Sequence, residues 1–126
     1  MSWQGYIDNN LVGSGFVKQA AILGLDGSQW ATSSGFAVSA AEAKAMVAGF
    51  TDPSNLRASG IRASGEKYMC LRTDDSSLYG KKGSGGICVV KTIQAVLVGT
   101  YDESIQPGQC NSVVEKLGDY LRNSGY

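Results

Sequence analysis

Residues 61–101 read IRASGEKYMCLRTDDSSLYGKKGSGGICVVKTIQAVLVGTY. Within this stretch Ile61–Ala63, Glu66–Arg72, Ser77–Lys81, Ile87–Lys91 and Ala95–Tyr101 are short runs that favour β structure. Ser64-Gly65, Thr73-Asp74-Asp75 and Gly83-Ser84-Gly85-Gly86 separate the earlier runs. These residue types supply the φ angles and local hydrogen bonds that tight turns need. Short strands joined by short turns predict an antiparallel meander.

The flanks extend this reading. Residues 18–25 form a further strand, Asp26-Gly27 a hairpin turn, and Gln29–Ser33 its return, carrying Trp30. Ser39-Ala40-Ala41-Glu42 is a capping box before an Ala-rich helix that ends near Phe50. Asp52-Pro53 sets a cap before a proline at the first helical position, opening a short helix to about Ala58. At the start, Ser2 caps a helix whose Trp3, Tyr6, Ile7 and Leu11 share one stripe, and Gly13-Ser14-Gly15 ends it. Pro107 opens a last helix with Val113, Val114, Leu117, Tyr120 and Leu121 in helical period, and Gly125 stops it. Strands segregated from helices define an α+β fold, one antiparallel sheet covered by helices.

A chain of 126 residues favours a single domain over 1–126. Lys plus Arg and Asp plus Glu number 11 each, so the net charge is zero and the basic excess of a nucleic-acid binder is missing. The N-terminus has no signal-peptide pattern and no apolar run approaches a membrane span, which predicts a cytoplasmic protein. Cys70, Cys88 and Cys110 are widely spaced, and with no Cys-x-x-Cys and no histidine a zinc site is not expected. They read as buried free thiols in a reducing compartment.

The missing histidine also removes the commonest general base and every Ser-His-Asp or Cys-His arrangement. Asp74-Asp75 and Asp102-Glu103 are neighbours in turns, where their side chains diverge, and read as solvated charges. Gly80-Lys81-Lys82-Gly83-Ser84-Gly85-Gly86 is basic and glycine-rich but lacks phosphate-loop spacing, so it reads as a hairpin loop whose lysines can attract an anionic partner. No catalytic residue, metal site or cofactor is expected.

The aromatic residues point elsewhere. Trp3 and Tyr6 lie in the first helix, Tyr120 and Tyr126 at the end of the last, and Trp30 in an early strand. If the terminal helices pack side by side, these rings converge on one surface. Rings with polar tips outside a core suit a polyproline II ligand, whose prolines pack between aromatics while its free carbonyls accept hydrogen bonds. Asn111, Glu115 and Lys116 gather on the polar side of the last helix, either as a solvated face or as a second contact surface.

Four segments in order carry a family resemblance: Met1-Ser2-Trp3-Gln4-Gly5-Tyr6-Ile7-Asp8, Trp30-Ala31-Thr32-Ser33-Ser34-Gly35-Phe36, residues 71–83, and residues 113–121 with Gly125-Tyr126. Over its whole length the chain resembles profilin, in the short form of protists, fungi and plants. The resemblance implies a central antiparallel sheet with the terminal helices on one face and two small helices on the other. It implies binding of monomeric actin (1:1), of proline-rich partners such as formins, and, weakly, of phosphoinositide membrane surfaces. Carried onto this chain, the proline site would be Trp3, Tyr6, Trp30, Tyr120, Leu121 and Tyr126. Some family members carry histidine at the position of Tyr120. The actin face would be Arg72, Lys81, Lys82, Ser84, Asn111, Glu115 and Lys116, and the lipid site Arg72, Lys81, Lys82 and Lys116. Two other readings stay open: a proline-rich-peptide module that does not bind actin, and a small sensor or enzyme with a ligand pocket.

Overall fold

The computed structural model describes residues 2–126; Met1, part of the opening motif, lies outside the described residues. The strands are β1 (Gln19–Gly24), β2 (Gln29–Thr32), β3 (Ile61–Ala63), β4 (Glu66–Thr73), β5 (Ser77–Lys82), β6 (Gly85–Lys91) and β7 (Ala95–Tyr101). They form one sheet in the order β2-β1-β7-β6-β5-β4-β3. From β3 to β7 each strand pairs antiparallel with the next, which is the meander read from residues 61–101. β1 closes onto β7, with Gln19 opposite Thr100, and β2 forms the edge beyond it.

Strand alternation sends side chains to two apolar layers. One holds Ile7, Leu11, Val90, Leu97, Val114 and Leu121, beneath the first helical segment and α4 (Pro107–Asn123). The other holds Leu23, Met46, Phe50, Leu56, Ile61 and Val98, beneath α2 (Ala40–Thr51) and α3 (Ser54–Ser59). This is the expected α+β arrangement, terminal helices on one face and small helices on the other. α4 sits close to the sheet because Gly118 has no Cβ; one built there would lie 2.7 Å from Val90 Cγ1.

The capping box of α2 forms as read. Ser39 Oγ accepts the Glu42 N–H at 3.1 Å, and the Ser39 N–H donates to Glu42 Oε1 at 2.9 Å. The same carboxylate accepts the N–H groups of Ser64 and Gly65, each at 2.9 Å, and so clamps α2 to the β3–β4 turn. Burial opposes its charge, yet the backbone donors of Ser39, Gly65 and Ser64 hold the carboxyl below its ordinary range. The turn acids also behave as expected. Asp74 Oδ1 accepts the N–H groups of Ser76 and Ser77, and Asp102 Oδ1 that of Ser104.

Several boundaries differ from the sequence reading. The first helix is α-wound only over α1 (Trp3–Gly5); Tyr6–Leu11 is π-wound and Val12–Ser14 is a 3-10 turn. The expected single stripe divides: Ile7 and Leu11 are fully buried, while Trp3 and Tyr6 stay half-buried at the rim. α3 starts one residue later than Asp52-Pro53 suggested, its first helical bond running from the Arg57 N–H to the Pro53 carbonyl at 2.9 Å, while Asp52 Oδ1 still accepts the N–H of Ser54 at 3.1 Å and its hydroxyl at 2.7 Å. The Gly83–Gly86 loop shrinks to a two-residue turn, Gly83 and Ser84, with Lys82 opposite Gly85. Gly86 belongs to β6 because Tyr101 lies across it; a Cβ there would stand 2.2 Å from the Tyr101 hydroxyl oxygen. All three cysteines are free, but only Cys88 and Cys110 are buried, and Cys70 is half-exposed on β4.

Candidate functional site

The two chain ends meet, and the aromatic residues meet with them. Ser2 Oγ accepts the Gly5 N–H at 3.0 Å, and Gln4 Nε2 donates to the Thr32 carbonyl at 3.0 Å, tying α1 to β2. The Trp3 ring therefore stands against Trp30, with centroids 4.8 Å apart, and against Tyr6 at 5.7 Å. Trp30 is held from the far side, its Nε1–H donating to Ser28 Oγ at 3.2 Å. The other wall comes from the end of α4. Gly125 turns the chain at φ 90°, and the Tyr126 N–H returns to the Leu121 carbonyl at 2.8 Å. The β6–β7 hairpin then grips Tyr126: its backbone oxygen accepts from the Gln94 N–H at 2.5 Å and from Thr92 Oγ1 at 2.8 Å. This sets the Tyr126 ring edge-on to Trp3 at 5.4 Å, while Tyr120 lies 6.3 Å from Tyr6.

Trp3, Tyr6, Trp30, Tyr120 and Tyr126 are thus one surface, with Trp3 at its hub. Tyr120 and Tyr126 are 56% and 45% exposed, a large area of aromatic surface for residues outside a core. Burial and the adjoining Tyr120 hydroxyl push the Tyr6 phenol above its ordinary range, so Tyr6 stays a neutral donor at physiological pH. Leu121 is corrected. It has no exposed surface and packs with Ile7, Leu11 and Leu117 in the core, so it supports the rings from beneath and does not offer a contact face.

The residues expected on the polar face are only partly brought together. Arg72 lies over the Tyr79 ring, its guanidinium carbon 4.4 Å from the centroid, and the Tyr79 hydroxyl donates to Glu115 Oε2 at 2.9 Å. Burial and the bond to Glu115 raise the Tyr79 phenol above its ordinary range. Asn111 and Arg72 line one hollow of about 250 Å³ with Leu71, Tyr79 and Tyr101, and Asn111 Oδ1 is buried there with no hydrogen-bond partner among the described residues. Lys81 and Lys82 line another depression, with Arg57 and Lys67, and Lys82 pairs with Glu66. Ser84 is exposed in the β5–β6 turn. Lys116 stands apart from both, in a groove beside Tyr6 and Tyr120. The four cations expected as one lipid site therefore line three separate depressions.

Sequence reasoning missed three members of the polar face: Tyr79, which bridges Arg72 and Glu115, and the side chains of Met69 and Leu71, 62% and 57% exposed. Met69 and Leu71 point away from the more buried Tyr68 and Cys70, but all four residues are apolar, so no alternation in the sequence marks which ones are exposed. Among the described residues no group of His, Cys, Asp or Glu is arranged to hold a metal ion, and no helix is long and apolar enough to cross a membrane.

The fold and its two surfaces define a small α+β binding protein with an aromatic edge and a separate polar face. The profilin family pattern matches residues 1–126. The chain is 56% identical to profilin-1A of Acanthamoeba castellanii and 52% identical to profilin-A of Physarum polycephalum, each over all of both chains. The crystal structure of Acanthamoeba castellanii profilin II superposes with a TM-score of 0.97 at 54% identity, covering 99% of this chain and 100% of that one. The chain belongs to the profilin family, whose members are non-enzymatic, actin-binding regulators.

Proposed function

We propose that this chain, acting as one domain, binds an actin monomer 1:1 on its polar face and a proline-rich segment of a partner such as a formin on its aromatic edge. Holding both ligands, it delivers actin to filament barbed ends by raising the local actin concentration there. The observation that carries the proline-binding half is the cluster of half-buried and exposed rings around Trp3 in a member of this family. The stiff ligand loses little entropy, and the hub ring already sits between neighbours that hold it. The actin face we assign to Arg72, Tyr79, Asn111, Glu115, Met69 and Leu71, with Lys81 and Ser84 at its margin. Polar residues beside exposed apolar ones match the make-up of a protein-protein contact.

A salt-sensitive attraction to phosphoinositides would draw on Lys81, Lys82, Arg57 and Lys67, with Arg72 and Lys116 outside that depression. The site of action follows from the ligand: the cytoplasm and its actin cytoskeleton. Titration of monomeric actin, with polymerisation at free barbed ends as second readout, tests the proposal. Binding with retained barbed-end growth supports it. No binding at micromolar actin, together with quenching of the tryptophans by oligoproline, would leave a proline-peptide module instead.

A further inference from the structure

We propose that Lys116 selects proline-rich segments carrying an acidic side chain next to the proline run. The inference rests on the proline-binding reading above and deepens it. The aromatic surface does not end at Tyr120. Tyr6 and Tyr120 also wall a groove of about 470 Å³, completed by Asn10, Val113, Lys116 and Leu117. Trp3 lies 5.7 Å from Tyr6, and Tyr6 lies 6.3 Å from Tyr120, so about four residues of polyproline II carry a ligand from Trp3 to the groove. The groove is thus continuous with the proposed site, and the next ligand residues fall into it.

The lining selects what those residues can be. Val113 and Leu117 make its floor apolar, while Lys116 and Asn10 are exposed at its rim. The neighbouring carboxylates are all engaged elsewhere. Glu115 accepts the Tyr79 hydroxyl at 2.9 Å, Asp119 pairs with Arg122 at 2.9 Å, and Asp8 accepts from Gln4 at 3.1 Å. Among the described residues Lys116 has no ion pair. An unpaired ammonium beside an apolar groove attracts a carboxylate and repels a basic side chain. Because lysine is a flexible point charge, aspartate and glutamate serve alike.

The test compares plain oligoproline with the same peptide carrying two glutamates, or two lysines, at one end or at the other. Affinities are read by calorimetry with the full chain at low and at about 0.5 M salt. Wild type should bind one glutamate-flanked peptide about three- to fivefold more tightly than the plain one, the gain shrinking at high salt. Lys116→Gln should bring that ratio to about one, and Lys116→Glu should shift the preference to the lysine-flanked peptide. Equal affinity for plain and glutamate-flanked peptides in wild type, or a ratio that survives Lys116→Gln, overturns the inference and leaves the proline site standing. Failure of plain oligoproline to bind overturns the proline-binding reading itself.

Discussion

The aromatic edge around Trp3 and the polar face around Arg72 are held in place by different means. At the edge, backbone acceptors anchor the chain: the Thr32 carbonyl accepts from the Gln4 side chain, and the Tyr126 backbone oxygen accepts from the Gln94 N–H and the Thr92 hydroxyl, on either side of the rings. The rings offer apolar area and tyrosine hydroxyls, and the Trp30 N–H is already satisfied by Ser28, so a ligand can cover the ring faces and leave that contact in place. On the polar face the side chains hold one another. Arg72 covers Tyr79, and Tyr79 donates to Glu115. A partner there must replace or extend those contacts, so each charged group yields less net affinity and more orientation and on-rate. One molecule thus carries a preassembled aromatic surface and a polar face whose side chains already engage one another.

The largest expected effect tests what lies beneath the edge. Leu121→Ala should lower stability by about 2–5 kcal/mol, read by urea unfolding. A variant of undiminished stability with weakened oligoproline binding would return Leu121 to the contact surface. Next, Trp3→Ala should lose about 2–4 kcal/mol of oligoproline binding, since it removes the hub ring. Actin affinity should stay within about twofold; a parallel loss would mean that the two surfaces are coupled. Glu42→Gln supplies a control outside both, costing about 1–3 kcal/mol of stability by weakening the clamp on Ser39, Ser64 and Gly65. The Glu42 carboxyl is lowered in the folded protein, so its contribution is complete above the ordinary carboxylate range and disappears as pH falls through the lowered value. Unfolding curves of wild type and variant should therefore converge in acid. The smallest effect is that of Arg72→Ala, about 1 kcal/mol in actin binding with a flatter salt dependence. Oligoproline titration of the same variant should match wild type, and a loss there would blur the distinction between the surfaces.

Much of this was legible from the residues, and the misses share a cause. Strands β3 to β6 could be read because each turn between them carries its own local signature, such as Ser64-Gly65, and β7 was read from its own β-favouring run. Gly85 and Gly86 looked like loop because the reason for their glycines is Tyr101, a partner that only strand pairing brings near. Leu121 was placed at the site beside Tyr120 only through the family resemblance, which does not separate the two faces of the helix. Successive residues on an α-helix point about 100° apart, so one faces solvent and the other the core. The convergence of Trp3, Tyr6, Trp30, Tyr120 and Tyr126 was legible because large rings at chain ends are hard to bury. Tyr79 was not, since its link to Glu115 depends on how α4 crosses β5. The π-winding of Tyr6–Leu11 carries no residue signature recognised in advance.

The pairing of β1 with β7 has a kinetic side. Gln19 and Thr100 exchange hydrogen bonds across a sequence separation of 81 residues. Closing so long a loop costs entropy before any contact repays it, and topologies dominated by such pairings fold slowly. The meander from β3 to β7 can assemble from local hairpins, but β1 must wait for a finished β7. Until then the β7 edge is open, and the N-terminal helical segment, which packs on β1 and β2, has no seat on the sheet. The aromatic edge, built from both chain ends, is consequently among the last features to exist during refolding. Recovery of tryptophan quenching by oligoproline should lag behind hairpin formation, making ligand binding a clock for the closing step of the fold.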